Sequence, residues 1–370
     1  MSQGTVLMMA GGTGGHVVPA LTVAREMSSR GYQILWLGTK TGIEARLVPE
    51  AGFEIKWLDI GGLRGKGWKT RLLAPIRLIK AVLQARAVIR ESRPVLAVGM
   101  GGFASGPGGL AAWLMQVPLV IHEQNAVAGL TNRVLARVAT RVLSAYAGVF
   151  KQRHEVVGNP VRAEITALAP PAERFAGREG PLRVLVLGGS LGAVALNEIV
   201  PAALSQWSHR QPLAVRHQCG PRNLAQAEQS YRQHPLKNGS VVEVLPYIDD
   251  MADAYGWADL VIARAGALTL AELAAAGLGS VLVPYPHAVD DHQTVNGAAL
   301  VEAGAAIMIQ QRDLSAQGLA QMLSNRLSDR QTLLSMAEAA RQVAHPDALD
   351  KLVSHCESVI RRATRKGEAT

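Results

Sequence analysis

The sequence predicts an α/β protein of two domains, each a parallel sheet covered by helices. Three observations predict it. Short apolar runs alternate with helical patterns along the chain, the signature of right-handed βαβ units. Glycine-rich turns separate strand from helix near residues 11–16, 99–109 and 188–193. Composition is 48% hydrophobic but only 4% aromatic, which suits sheets buried on both faces. With 370 residues, the chain is long enough for two domains of ordinary size.

The first strand, residues 5–10, runs into Gly11-Gly12-Thr13-Gly14-Gly15-His16 and then a helix. Glycine lets the backbone come close to a ligand because no Cβ intervenes. The helix behind it aims unpaired N–H groups and a positive dipole end at the same place, so the expected occupant is an anion such as diphosphate. His16 stands at the mouth, where an imidazole can take a proton near neutral pH. Strands follow at 34–37 and 53–58 with a helix at 43–51 between them. A basic glycine loop at 61–69 precedes a helix from about 71 to 91. The strand at 95–98 enters the second glycine turn, 99–109. The strand at 119–122 ends in His122-Glu123-Gln124-Asn125, another strand covers 142–144, and Gly158-Asn159-Pro160-Val161-Arg162 closes the first half.

About 20 residues rich in Ala, Pro and Glu then read as a connector. A strand at 183–187 enters the third turn, Gly188-Gly189-Ser190-Leu191-Gly192-Ala193, and further strands centre near Val215, Val242, Val261, Val281 and Ile307. The halves share an architecture without a clear repeat: two Rossmann-like domains expected to face a central cleft, with ligands at the carboxyl ends of the strands.

Charge is distributed unevenly. Residues 1–160 hold 19 Lys and Arg against 8 Asp and Glu, whereas the rest of the chain holds 19 against 21. The basic half lacks the interleaved aromatics of a nucleic-acid stacking platform, so an anionic membrane is the expected surface partner and nucleic acid is not. In the helix at 71–91, Leu78, Val82, Ala85 and Ile89 make one apolar face. Leu72, Ile76, Ile79 and Leu83 make a second, flanked by Arg77 and Lys80, as in an interfacial helix; burial of that stripe by neighbouring helices is the alternative. No apolar run reaches the roughly 18–20 residues of a membrane span. The first strand leaves no room for a signal peptide before it. Two distant cysteines, Cys219 and Cys356, give no disulfide framework or zinc spacing, and Asp290-Asp291 reads as a helix start rather than a metal pair. No cofactor or metal is expected.

In order, the segments 11–16, 99–109, 122–125, 158–162, 188–193, 264–272 and 292–296 resemble the MurG family, the lipid-linked N-acetylglucosaminyltransferases of bacterial peptidoglycan synthesis. The resemblance covers nearly the whole chain apart from the connector and the tail. It implies a GT-B fold, with residues 1–161 plus 346–370 forming the acceptor and membrane domain and residues 162–345 binding the donor. It implies inverting transfer of GlcNAc from UDP-GlcNAc to the C4 hydroxyl of the muramoyl sugar of lipid I, at the cytoplasmic face of the bacterial inner membrane.

The donor pocket implied includes Thr13, Gly14, Gly15, Asn125, Arg162, Ser190, Ile248, Ala267, Leu268, Thr269, Leu270, Ala271, Glu272 and Gln293. Glu272 is expected to accept from ribose hydroxyls and Ile248 to offer backbone groups to uracil. Gly101, Gly102, Ser105 and Gly106 are expected at the acceptor diphosphate. His16 is the first candidate for the base, with Glu123 and His122 as alternatives. Two positions depart from the family pattern: Ala265 stands where members often carry Ser, and His292 precedes Gln293 where some carry two glutamines. A GT-B transferase with another lipid acceptor, of the diacylglycerol type, is the alternative reading.

Overall fold

The alternation of apolar runs and helical patterns resolves into two separate parallel sheets. The structure, a computed structural model, describes residues 3–61, 74–207, 209 and 211–368. It divides into two units, Met1–Pro160 with Asp347–Thr370, and Val161–Pro346.

In the first unit the strands are β1 (Thr5–Met9), β2 (Gln33–Gly38), β3 (Glu54–Trp57), β4 (Leu96–Gly99), β5 (Leu119–Glu123), β6 (Arg141–Ser144) and β7 (Glu155–Val156). Their order is 3-2-1-4-5-6-7 and every pairing is parallel. Successive side chains of a strand point to opposite faces, so each strand feeds two cores. Val6 and Met8 pack with α1 (Gly14–Ser29) and with Leu352, Val353 and Cys356 of the C-terminal helix Ala348–Glu368. Leu7 and Met9 face the other way, into a core shared with Val82, Ala85 and Ile89 of α3 (Ala74–Ser92), which follows α2 (Glu44–Glu50). α4 (Ser105–Leu114) and α5 (Leu130–Leu135) complete that face. Leu78 departs from the expected sheet-facing set: it lies one turn beyond the last buried position of α3 and is 42% exposed.

The second unit repeats the winding. β8 (Leu182–Leu187), β9 (Leu213–Gln218), β10 (Val241–Leu245), β11 (Leu260–Ala263), β12 (Gly279–Leu282) and β13 (Ala306–Met308) lie in the order 10-9-8-11-12-13, all parallel. The connector is a packed element rather than a loose link. It forms α6 (Ala163–Thr166) and α7 (Pro171–Phe175). Arg174 donates to Tyr255 O and Gly277 O, and Arg178 donates to Gly256 O and Ala258 O. These cations sit on the carbonyl ends of α10 (Met251–Trp257) and α11 (Ala267–Ala276), where the dipole favours them. α8 (Val194–Leu204) and α9 (Leu224–Gln233) precede α10, while α12 (His292–Glu302), α13 (Ala316–Arg326) and α14 (Arg330–Gln342) close the unit. Among the described residues no helix is long and apolar enough to cross a membrane.

Each sheet buries one histidine at the carboxyl end of a strand. On β5, His122 Nε2 lies 2.9 Å from Gly158 O, and Nδ1 lies 3.3 Å from Gln124 Nε2. On β9, His217 Nδ1 lies 3.0 Å from Tyr231 Oη and Nε2 lies 3.0 Å from Asn197 Oδ1. Both rings are fully buried, and burial lowers each pKa from 6.5 to about 4. Unfolded, each histidine takes up its proton near pH 6.5; folded, it resists until about pH 4. The stabilisation is therefore complete above pH 6.5 and is lost as pH falls toward 4. Urea unfolding between those limits should show a stability that rises with pH by about 1.4 kcal/mol per unit for each histidine. His217→Gln should flatten its share of that slope; an unchanged slope contradicts the assignment.

Candidate active site

The first two glycine turns interlock. Thr13 is the N-cap of α1 but makes no side-chain cap bond. Its Oγ1 instead lies 3.3 Å from Nδ1 of His16, the third residue of the helix. The His16 ring occupies the space a side chain would need at Gly101, where a Cβ would stand 2.4 Å from Cδ2 and 2.8 Å from Nε2. At Gly102 (φ +84°) a Cβ would stand 2.2 Å from Gly11 O. The sequence places these glycines far apart, yet neither loop closes unless both lack side chains. Gly15 and Gly106 differ: a Cβ there would meet only Thr13 Oγ1 at 3.8 Å or Thr131 Cγ2 at 3.7 Å. Packing does not require glycine at either position.

Sequence reasoning missed Glu44. Its carboxylate is fully buried and accepts from Gly12 N at 2.9 Å, Thr39 N at 3.0 Å and Thr39 Oγ1 at 2.7 Å. It is the internal strut of the first turn. As the first residue of α2, it reads in sequence as an ordinary helix-start charge. The nearest signal is Gly42, where a Cβ would fall 1.9 Å from Glu44 Oε2.

Two candidates for the base are corrected. Glu123 is 2% exposed, and both its oxygens are engaged. Oε1 accepts from Asn125 N and Nδ2, both at 3.1 Å, and Oε2 accepts from Gly129 N at 3.1 Å and Asn132 Nδ2 at 2.9 Å. It anchors the loop carrying Asn125 and is not placed to take a proton from a substrate. His122 is sealed in the core with both ring nitrogens bonded. Ser105 is likewise fully buried, its Oγ within 2.7 Å of Met9 O and 2.6 Å of Gly101 O. It fixes the second turn from inside and is not placed to meet a diphosphate. His16 is the half-buried candidate that keeps its place at the carboxyl edge of the sheet.

In the second unit, Ser190 lies in the turn between β8 and α8, and Leu191 beside it is 79% exposed. The helix carrying Ala267, Leu268, Thr269, Leu270 and Ala271 starts after Gly266, which supplies no side-chain cap. Its first-turn N–H groups are the ones a helix cannot satisfy internally. Glu272, only 4% exposed, accepts from Arg162 Nη2 at 2.8 Å and from Tyr255 Oη at 3.0 Å. Burial raises the Glu272 pKa against the pull of Arg162; burial would lower that of Arg162, but the Glu272 charge raises it. The geometry, with a donor on each oxygen, is that of an ionised carboxylate. The oxygens expected to accept from ribose thus already hold protein donors. Arg162 Nε is buried without a hydrogen-bond partner among the described residues. Gln293 Oε1 accepts from Tyr285 N at 2.9 Å, which leaves its NH2 to donate. Asp290 and Asp291, just ahead of it, both take left-handed conformations, with φ of 54° and 48°. The Ile248 side chain is half-buried and packs on the core.

On α3, Ile76, Ile79 and Leu83 are 64%, 61% and 56% exposed. This rules out burial of the stripe within its own unit. Arg77 is exposed beside it, and Lys80 pairs with Asp59 at 2.8 Å. Leu72 and the basic loop at 61–69, except Gly61, lie outside the described residues. Sequence reasoning did not single out Phe103, Trp113 and Leu130, which are also exposed apolar side chains of the first unit.

Residues 6–144 match the glycosyltransferase family 28 N-terminal domain and residues 183–352 its C-terminal domain. A protein of Marinobacter nauticus is 52% identical over 352 residues, covering 95% of this chain and 96% of the relative. One of Alcanivorax borkumensis is 54% identical over 358 residues, covering 96% and 99%. Both are named UDP-N-acetylglucosamine–N-acetylmuramyl-(pentapeptide) pyrophosphoryl-undecaprenol N-acetylglucosamine transferase. The crystal structure of MurG from Acinetobacter baumannii superposes with a TM-score of 0.82 at 42% identity, covering 96% of this chain and 99% of that one. The calicheamicin glycosyltransferase CalG4, at 18% identity and a TM-score of 0.66 over 98% of this chain and 100% of that one, shares the fold. Two sheets wound alike, each with a glycine turn at its carboxyl edge, and this identity along nearly the whole length place the chain in glycosyltransferase family 28, among the MurG enzymes.

Proposed function

We propose that this chain moves N-acetylglucosamine from UDP-GlcNAc to the C4 hydroxyl of the muramoyl sugar of lipid I, with inversion at the anomeric carbon, giving lipid II. The observation that carries this reading is identity of more than half with transferases named for that donor and acceptor, over 95% or more of the chain. In this reading each unit binds its ligand at the carboxyl edge of its own sheet. UDP-GlcNAc lies on the second unit, and lipid I meets the turn at 99–109.

The reaction asks for two things. The acceptor hydroxyl attacks C1 from the side opposite UDP and must lose a proton. In this reading the tautomer whose Nδ1–H donates to Thr13 Oγ1 is the reactive one, and His16 Nε2 takes the proton. The leaving diphosphate gathers negative charge as the sugar–oxygen bond breaks. Amides of the turn at 188–193, the N-terminus of α11 and Arg162 stabilise that charge without moving. No divalent cation is given a role.

The exposed apolar stripe on α3, rimmed by Arg77, supports seating on an anionic membrane at the cytoplasmic face, with the acceptor's lipid left in the bilayer. That stripe serves a diacylglycerol acceptor equally well, so acceptor identity is the point to test. Labelled UDP-GlcNAc should release UDP with a short-chain lipid I analogue and not with diacylglycerol; the reverse pattern overturns the reading. His16→Ala should lower kcat by about 10²–10³ while UDP affinity stays within about threefold. Unchanged kcat removes His16 as the base. Ile76→Glu with Ile79→Glu should weaken binding to anionic phospholipid vesicles at least about tenfold and leave UDP binding intact. Undiminished vesicle binding contradicts the membrane seat.

A further inference from the structure

The third glycine turn is held from behind by side chains the reaction does not touch. Cys219 and Gly220, just past β9, press against it. A Cβ on Gly192 would stand 1.9 Å from Cys219 O, and one on Gly220 would stand 2.5 Å from Leu191 O. Amide side chains grip the carbonyls at this seam. Gln218 Nε2 donates to Gly189 O at 2.9 Å. Asn223 Nδ2 donates to Leu191 O at 3.2 Å and Cys219 O at 3.1 Å. Asn197 Nδ2 donates to Cys219 O at 3.0 Å.

The buried pair His217 and Tyr231 sets the direction of Asn197. Because Asn197 donates toward Cys219, its Oδ1 faces His217 and accepts from Nε2–H at 3.0 Å. His217 Nδ1 then accepts from the Tyr231 hydroxyl at 3.0 Å. Every member has one orientation that satisfies it. A turn that offers N–H groups to an anion must direct its carbonyls elsewhere, since a carbonyl aimed at diphosphate repels it. Here the carbonyls of Gly189, Leu191 and Cys219 are all taken by amides behind the turn.

Asn223 supplies an independent sign. It is the N-cap of α9, where asparagine usually accepts a bond from its own helix, yet its side chain makes none. Its amide serves the turn instead. A local preference set aside in this way marks a functional constraint.

We propose that Asn223, Asn197 and His217 are positioning residues for the donor diphosphate, holding the carbonyls of Leu191 and Cys219 so that the turn's amides face the ligand. The proposal rests on the reading that this turn takes the diphosphate of UDP-GlcNAc. The test compares UDP and uridine binding by calorimetry and steady-state kinetics for Asn223→Ser, Tyr231→Phe and Asn197→Leu. Asn223 makes no cap bond that serine would lose, and position 223 is not buried, so Asn223→Ser leaves the fold intact where the buried Asn197→Leu could lose it.

Asn223→Ser should weaken UDP and lower kcat/KM for the donor by about tenfold, with acceptor KM and uridine affinity within about twofold. Tyr231→Phe should do the same by about threefold. Unchanged UDP affinity in Asn223→Ser, or uridine weakened as much as UDP, overturns the positioning role alone. Failure of the unsubstituted chain to bind UDP overturns both this role and the functional reading.

Discussion

A backbone amide can serve as an anion-binding group only if its own carbonyls are directed elsewhere and no side chain stands in front of it. That constraint shapes both units. At Gly101 and Gly102 a Cβ would collide with His16 and with Gly11 O, and at Gly192 with Cys219 O. Glu44 ties down the Gly12 amide behind the first turn, while Asn223 and Gln218 hold carbonyls behind the third. The parallel winding puts these turns at the carboxyl ends of β1, β4 and β8, where helix N-termini add their dipoles to the same space. Stability and chemistry thus share parts: the groups that let the turns close also aim their N–H bonds.

The fold was legible because it is written in short-range patterns. Strand after strand is a short apolar run, and each glycine turn stands between such a run and a helix, so the winding of both sheets followed from connection rules. The site was legible in part. His16 and the glycines are local to a turn and could be read there. Glu123 and His122 were misread because their type suggested chemistry, whereas their surroundings are four donors on one carboxylate and a sealed core for the imidazole. Glu44, Asn197 and Asn223 were invisible for the opposite reason. Each looks like an ordinary helix residue, and only the contacts from Glu44 to Gly12, 32 positions away, or from Asn223 to Leu191, also 32 away, show what it holds. How the connector packs could not be read from composition, since its arginines act on carbonyls of residues 255–277, far along the chain.

The two units divide the chemical demands. The first carries the basic excess, His16 and the exposed apolar stripe of Ile76, Ile79 and Leu83. Under the proposed function, those are the properties that meet a lipid-linked acceptor at an anionic surface and take its proton. The second is nearly neutral and carries Arg162 bonded to Glu272, the turn at 188–193 and the N-terminus of α11. Those are the properties needed to hold a nucleotide diphosphate while its charge grows. Buried His122 and His217 are kept neutral and bonded, as internal fixings rather than reagents.

The central claim is that backbone amides, not a set of side chains, receive the leaving diphosphate. A crystal structure with UDP bound tests it most directly. The account predicts diphosphate oxygens within about 3 Å of backbone nitrogens in the turn at 188–193 and in the first turn of α11. A diphosphate gripped by side chains alone, with the glycine turn facing solvent, contradicts it.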